Sequence, residues 1–111
     1  MQLDVLEFIH YIQSNDIRRI VYFSKSNYMI ADTVVVSRVA GYGLIYLIDA
    51  KAPDHYVLFG GVTNIAIDRK ASGLNANGER YGWDVVKFTC ERAGRKPATY
   101  IILIDYRGKE Q

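Results

Sequence analysis

The C-terminal half of the chain contains a group of basic and aromatic residues, and these are the side chains best suited to bind a ligand. Tyr81 and Trp83 follow Arg80 in one strand-like run, and the connector at 91–97 is rich in cations. Such mixtures stack the bases of single-stranded nucleic acid or form the hot spots of protein interfaces. The candidate binding residues are Arg80, Tyr81, Trp83, Arg92, Arg95, Lys96, Arg69 and Lys70.

A nucleophilic active site would have to use Cys90, the only cysteine, with His10 or His55 as its base. Cys90 alternates in phase with Val86 and Phe88, which predicts that its side chain lies in the core as a small apolar group. We therefore expect no catalytic residue and no enzyme. A small enzyme that uses Cys90 or a histidine is the second alternative.

Metal and cofactor sites have no recognisable motif. The histidines and the cysteine show none of the CxxC, HxxxH or HExxH spacings of zinc sites, so we expect no metal site. Gly41 and Gly43 lack the third glycine of a dinucleotide-binding loop, and no P-loop ending is present. Asp84 and Asp105 are predicted to lie at solvated strand edges rather than to form an acid–base pair. No cofactor is expected.

The elements that position these residues begin with one helix. Four apolar residues share one helix face at i, i+3, i+4 and i+7: Val5, Phe8, Ile9 and Ile12. Leu6 widens this stripe, and Asp4 is suited to cap the first turn. The pattern predicts a helix over about 3–14, which must bury its apolar face on a sheet or on a second chain.

About seven strand-like runs follow, and they cover 17–24, 28–39, 44–48, 55–59, 62–68, 81–90 and 98–106. Turn residues separate these runs at Lys25-Ser26-Asn27 and at Gly60-Gly61. The polar, Gly- and Asn-rich stretch 69–80 predicts a long loop. The predicted fold class is α+β, mainly β: a helix, then antiparallel strands in a curled sheet or small barrel. A single domain spans 1–111 and ends in a polar tail, 107–111.

Two details of the strands bear on function. The uncharged apolar run 100–104 predicts a strand buried on both faces, with Ile102 and Ile104 in the core. The apolar alternation changes phase at Val85-Val86, which predicts a β-bulge or burial on both sides at that point. This phase decides whether Tyr81 and Trp83 face the core or a ligand. In the run 28–39, Asp32 or Ser37 is expected to mark another bulge.

Composition limits the partners. The formal net charge is +2, a weaker excess than dedicated nucleic-acid-binding domains carry. No run of about 18 apolar residues is present, so no contact with a membrane is expected. The first residues carry acids where an export signal would carry Lys or Arg, and the single cysteine excludes an internal disulfide. We expect a cytoplasmic protein.

The functional expectation is a non-enzymatic small binding module that contacts a protein partner, in an accessory, inhibitor or immunity-type role, or that self-associates as a homo-oligomer. Its motivation is the cluster of Tyr, Trp and Arg together with the apolar strands. The alternative is a small β-barrel that binds single-stranded nucleic acid, since such barrels stack bases on exposed aromatic rings beside basic loops.

Overall fold

The computed structural model describes residues 1–25 and 28–111, which contain one helix and eight strands. In chain order these are β1 (Gln2–Leu3), α1 (Val5–Ser14), β2 (Ile17–Phe23), β3 (Tyr28–Val39), β4 (Tyr42–Asp49), β5 (Tyr56–Asp68), β6 (Ser72–Leu74), β7 (Arg80–Cys90) and β8 (Ala98–Tyr106). The predicted turn at 25–27 includes Ser26 and Asn27, which lie outside the described residues.

Six strands close into an antiparallel barrel, and two short strands lie outside it. The barrel strands follow one another as a meander, β2-β3-β4-β5-β7-β8, and β8 pairs back onto β2. The outside strands extend this sheet, β1 beside β5 and β6 beside β7. The predicted mainly β class is therefore confirmed, in its barrel form. The strand order differs from the Greek key of the oligonucleotide-binding fold.

The helix begins and ends close to the predicted positions because its first turn is capped. Asp4 accepts a hydrogen bond from the backbone N–H of Glu7 at 2.8 Å, and the Glu7 carboxylate accepts one from the N–H of Asp4 at 3.0 Å. This reciprocal pair satisfies donors that the helix leaves unpaired. The buried residues of the helix are Val5, Phe8 and Tyr11. Leu6 is 54% exposed, so the prediction that it widens the buried stripe is wrong.

The predicted turn at Gly60-Gly61 is wrong, because β5 runs through both glycines. The first part of β5 pairs with β4 and the last part with β7, so this strand joins two sides of the barrel. Gly61 has φ +62°, and a Cβ there would lie 2.6 Å from the carbonyl oxygen of Glu91. A glycine is required at this bend, where the N–H of Glu91 donates to the Gly61 carbonyl at 2.8 Å.

The predicted long loop at 69–80 contains β6, which forms a hairpin with the start of β7. The Asn75 side chain stabilises the turn by accepting hydrogen bonds from the N–H groups of Asn77 and Glu79, at 3.0 and 2.9 Å. Asn75 also donates to the carbonyl of Lys109 at 3.0 Å, so the polar tail is bound to this hairpin.

The last two barrel strands pair without interruption from Trp83–Asp105 to Cys90–Ala98, so of the two alternatives predicted at Val85-Val86 the bulge is wrong. The phase change instead reflects partial burial on both sides, because Val86 is fully buried inside and Val85 is half-buried outside. On β8, Ile102 and Ile104 are fully buried as predicted, whereas Ile101 is 47% exposed. The prediction that this strand is buried on both faces is therefore wrong: one face lines the core and the other is the outside of the barrel. On β3, the predicted bulge at Asp32 is confirmed by a register shift between Ala31 and Thr33.

Candidate functional site

The eight predicted binding residues fall into two groups at opposite ends of β7. The first group is Arg69, Lys70, Arg80, Tyr81 and Trp83. The second group, in the connector that follows β7, is Arg92, Arg95 and Lys96. From Trp83 to Cys90 the strand covers roughly 23 Å at about 3.3 Å per residue. The two groups therefore do not form one continuous surface.

In the first group, Trp83 is the aromatic residue that faces outward, and it is 43% exposed. Tyr81 is half-buried and packs across β6, where a Cβ on Gly73 would lie 2.8 Å from the Tyr81 hydroxyl. Arg80 donates from Nη1 to the hydroxyl of Ser72 at 3.1 Å. Tyr81 and Arg80 thus contribute contacts to the β6–β7 hairpin, and Trp83 is the exposed aromatic side chain of this group.

The second group organises its own turn. Arg92 donates from Nε and Nη2 to the carbonyl of Lys96, at 3.0 and 2.6 Å, and the N–H of Arg95 donates to the carbonyl of Arg92 at 3.3 Å. All residues from 91 to 97 are exposed, and none of them is aromatic. The exposed ring beside this connector is Tyr42 of β4, which lines a shallow pocket together with Glu91, Arg92 and Ala93.

A buried polar cluster joins the helix to the barrel. Its centre is Asp84, which is fully buried, so the predicted solvated-edge position is wrong. The Tyr106 hydroxyl donates to Asp84 Oδ2 at 2.6 Å, and the Tyr11 hydroxyl donates to the same oxygen. The Ser72 hydroxyl donates to Asp84 Oδ1. One carboxyl group thus connects α1, β6, β7 and β8.

Asp84 and Asp105 lie on opposite faces of the barrel wall, so they cannot act as an acid–base pair. Asp84 points into the core, whereas Asp105 is on the outside and accepts a hydrogen bond from Arg19 Nε at 2.9 Å. The hydrogen bonds around Asp84 therefore have a structural role, since they connect the helix to three strands.

The two tyrosines of the cluster are held in their neutral, donating form. Burial, with the hydrogen bond to Asp84, raises the pKa of Tyr11 to about 12. Burial likewise raises the pKa of Tyr106, and the bonds to Asp84 and Tyr11 act in the same direction. Burial also raises the pKa of the Cys90 thiol, which disfavours the thiolate that a nucleophile needs.

A row of apolar side chains runs across the outside of four neighbouring strands. Val21 lies opposite Ile30 on one side and Leu103 on the other, and Leu103 lies opposite Val85. Beside this row are three exposed apolar side chains: Phe23 (56%), Tyr28 (61%) and Ile101 (47%). We call these seven residues the outer band. None of them belongs to the hydrophobic core or packs against it.

Charged residues of both signs border the outer band. On one side Asp105 pairs with Arg19, and with Arg18 at 3.6 Å, and Trp83 lies opposite Asp105 in the register. On another side Lys87 lies opposite Ile101, and Asp68 lies opposite Val85. An apolar centre with a polar, charged rim is the ordinary composition of a protein–protein interface.

Of the predicted binding residues, Trp83 borders the outer band, but the sequence did not predict the band itself. The sequence of β8 carries apolar residues on both faces of the strand. That pattern predicts burial inside a sheet as readily as an exposed apolar surface. Among the described residues, no three side chains of the types that bind metals gather in one place, and no helix has the length and hydropathy that a bilayer crossing requires. No family model, curated protein or solved structure matches this chain.

Proposed function

We propose that this chain is a non-enzymatic binding module that contacts another protein through the outer band. The observation that carries the proposal is the row of Ile30, Val21, Leu103 and Val85 on the outside of a closed barrel. A barrel buries its inner face by closing, so apolar residues on its outside keep part of their surface in water: the four residues of the row are half-buried, and Phe23, Tyr28 and Ile101 beside them are exposed. Contiguous exposed apolar surface with a polar border usually marks an interaction site.

The energetic contribution of such a contact is substantial. Burying an apolar side chain completely contributes about 1.5–3 kcal/mol, so the half-exposed Phe23, Tyr28 and Ile101 would contribute roughly 1 kcal/mol each. Three inter-strand spacings, roughly 14 Å, separate the outer strands of the band. Trp83 at its border adds the type of side chain that most often dominates an interface.

The partner that fits the border is a second copy of the chain. A two-fold pair brings the same surface of both copies together, so each charge needs an opposite charge on that same surface. The rim meets this requirement because Arg19 and Lys87 are accompanied by Asp105 and Asp68. Charges of both signs are therefore available on the one surface that a two-fold pair brings together.

Sedimentation velocity over about 1–100 µM protein tests this proposal. The wild type should form dimers, and Ile101→Glu should shift the equilibrium to monomers because a carboxylate would be buried in the interface. Leu58→Glu is the matched control, since Leu58 is 53% exposed on β5, outside the band. Monomeric wild-type protein over the whole range would exclude the second copy. Equal dimerisation of the two variants would exclude the outer band.

Nucleic-acid binding has less support from the geometry. A single-stranded nucleic acid needs rings and cations along one track. The connector has a single exposed ring beside it, Tyr42, which shares a pocket with Arg92, whereas Trp83 lies at the other end of β7. A titration with labelled oligonucleotides at about 50 mM salt tests the alternative, because phosphate contacts are strongest at low salt.

A further inference from the structure

A groove of about 560 Å³ lies along one flank of α1, where it is bordered by Tyr11 of the buried stripe. Its volume is within the range of about 300–1,000 Å³ typical of small-molecule sites. Its walls are mainly apolar and include Met1 and Leu6, which are 55% and 54% exposed, together with Leu3 and the ring of Tyr11. The exposure of Leu6, which the helix periodicity did not predict, is explained by its place in this wall.

The groove contains one cation whose hydrogen-bonding capacity is not used by its neighbours. Arg69 is half-buried, with its guanidinium carbon 5.0 Å from the centre of the Tyr11 ring. Its Nε is buried and has no hydrogen-bond partner among residues 1–25 and 28–111, and Arg69 forms no salt bridge with any of them. Burying such a donor unpaired is costly, and an oxyanion would satisfy it.

The other polar side chains around the groove are already engaged with the helix. Glu7 accepts a hydrogen bond from the Asp4 N–H in the cap, Ser14 donates to the His10 carbonyl at 2.6 Å, and Asn15 donates to the Tyr11 carbonyl at 2.7 Å. The exposed His10 ring, which also lines the groove, has its Nε2 3.4 Å from the Ser14 hydroxyl. Arg69 is therefore the group in the groove best placed to select a ligand by charge. Glu7 is exposed at the rim, and its charge is directed toward the start of the helix.

We propose that this groove binds an amphipathic organic anion: a carboxylate on Arg69 and a hydrocarbon body along Leu3, Leu6 and Met1. The planar guanidinium matches a carboxylate with two parallel hydrogen bonds, and the apolar wall removes the hydrocarbon from water. The groove contains none of the seven outer-band residues, so its test does not depend on the proposed dimer.

Isothermal titration calorimetry with decanoate, below its micelle concentration, tests the site on the full chain. Wild type should bind one decanoate per chain and should bind decanol, which lacks the charge, more weakly. Arg69→Gln should weaken decanoate binding about 10- to 100-fold, the range expected for a hydrogen bond to a charged group. Lys70→Gln is the matched control, because it removes the same charge one residue away and Lys70 does not line the groove.

A second variant tests the apolar wall and does not depend on Arg69. Leu6→Ser changes an exposed residue and should leave the fold intact, yet it should weaken decanoate binding by about tenfold, since a buried methylene contributes about 0.8 kcal/mol. The absence of saturable decanoate binding to the wild type would overturn the proposal. So would equal affinities of wild type and Arg69→Gln, or equal affinities for decanoate and decanol.

Discussion

Removal of the Tyr106 hydroxyl measures what the buried cluster around Asp84 contributes to stability. Tyr106→Phe preserves the ring, which is 3% exposed, and deletes the donor that lies 2.6 Å from Asp84 Oδ2. A hydrogen bond to a charged group contributes about 1.5–3 kcal/mol, and the group left behind cannot reach bulk water. Tyr11 and Ser72 still donate to Asp84. We therefore expect a loss near the lower end, about 2 kcal/mol.

Urea unfolding followed by far-UV circular dichroism provides the assay. Tyr106→Phe should lower the midpoint without changing the m-value, because the surface exposed on unfolding is the same. A loss of about 2 kcal/mol corresponds to a fall in Tm of roughly 10 °C for a domain of this size. Tyr42→Phe is the control: Tyr42 is 47% exposed, and its variant should stay within about 0.5 kcal/mol of wild type. If Tyr106→Phe is as stable as Tyr42→Phe, the cluster does not stabilise the fold.

Two further predictions concern titrating groups. The pKa of Tyr11 rises from its ordinary value of 10.0 to about 12 on folding, so between these values the folded state keeps a proton that the unfolded state has lost. Stability from this group is complete below pH 10 and should fall by about 2–3 kcal/mol as the pH rises through 12, at about 1.36 kcal/mol per pKa unit. Urea midpoints across this range should fall less steeply in Tyr11→Phe, and equal slopes would contradict the assignment. Cys90 is 5% exposed with a raised thiol pKa, so a thiol reagent should label native protein at least about 100-fold more slowly than protein in urea. Rapid labelling without denaturant would show that Cys90 is accessible.

Local periodicity was sufficient for the fold class and for much of the core. The helical spacing from Val5 to Ile12 and the alternation around Ile102 and Ile104 depend only on neighbouring residues, so they are readable without a structure. The cap at Asp4 is equally local. These features predicted one helix and antiparallel strands, and the structure agrees.

Features set by distant parts of the chain were not predictable. Two glycines are equally suited to a tight turn and to a bend in a long strand. The choice at Gly61 depends on the backbone of Glu91, which comes close only after the barrel has closed. The burial of Asp84 was unpredictable for the same reason, because the side chains that donate hydrogen bonds to it come from positions 11, 72 and 106. One signal was available: Asp84 is in phase with Val86, Phe88 and Cys90 on the inward face.

The candidate site was predicted in part for the same reason. Tyr81 and Trp83 both follow the alternation of β7, but the β6 hairpin covers Tyr81 and leaves Trp83 exposed. The outer band and the groove at Arg69 combine residues from several elements. Composition therefore indicated a protein with exposed apolar side chains, but it could not locate the surface on which they lie. Closure of the sheet into a barrel decides which apolar face remains outside.

Site-specific photo-crosslinking in cells tests the outer band most directly. A benzoylphenylalanine placed at Ile101 lies within the band, and one placed at Leu58 lies on β5 at similar exposure. We predict a covalent adduct from position 101 with the mass of two chains, and none from position 58. An adduct with another protein from position 101 would keep the interface and replace the second copy as partner. Absence of an adduct at 101, or adducts only from 58, would contradict the account.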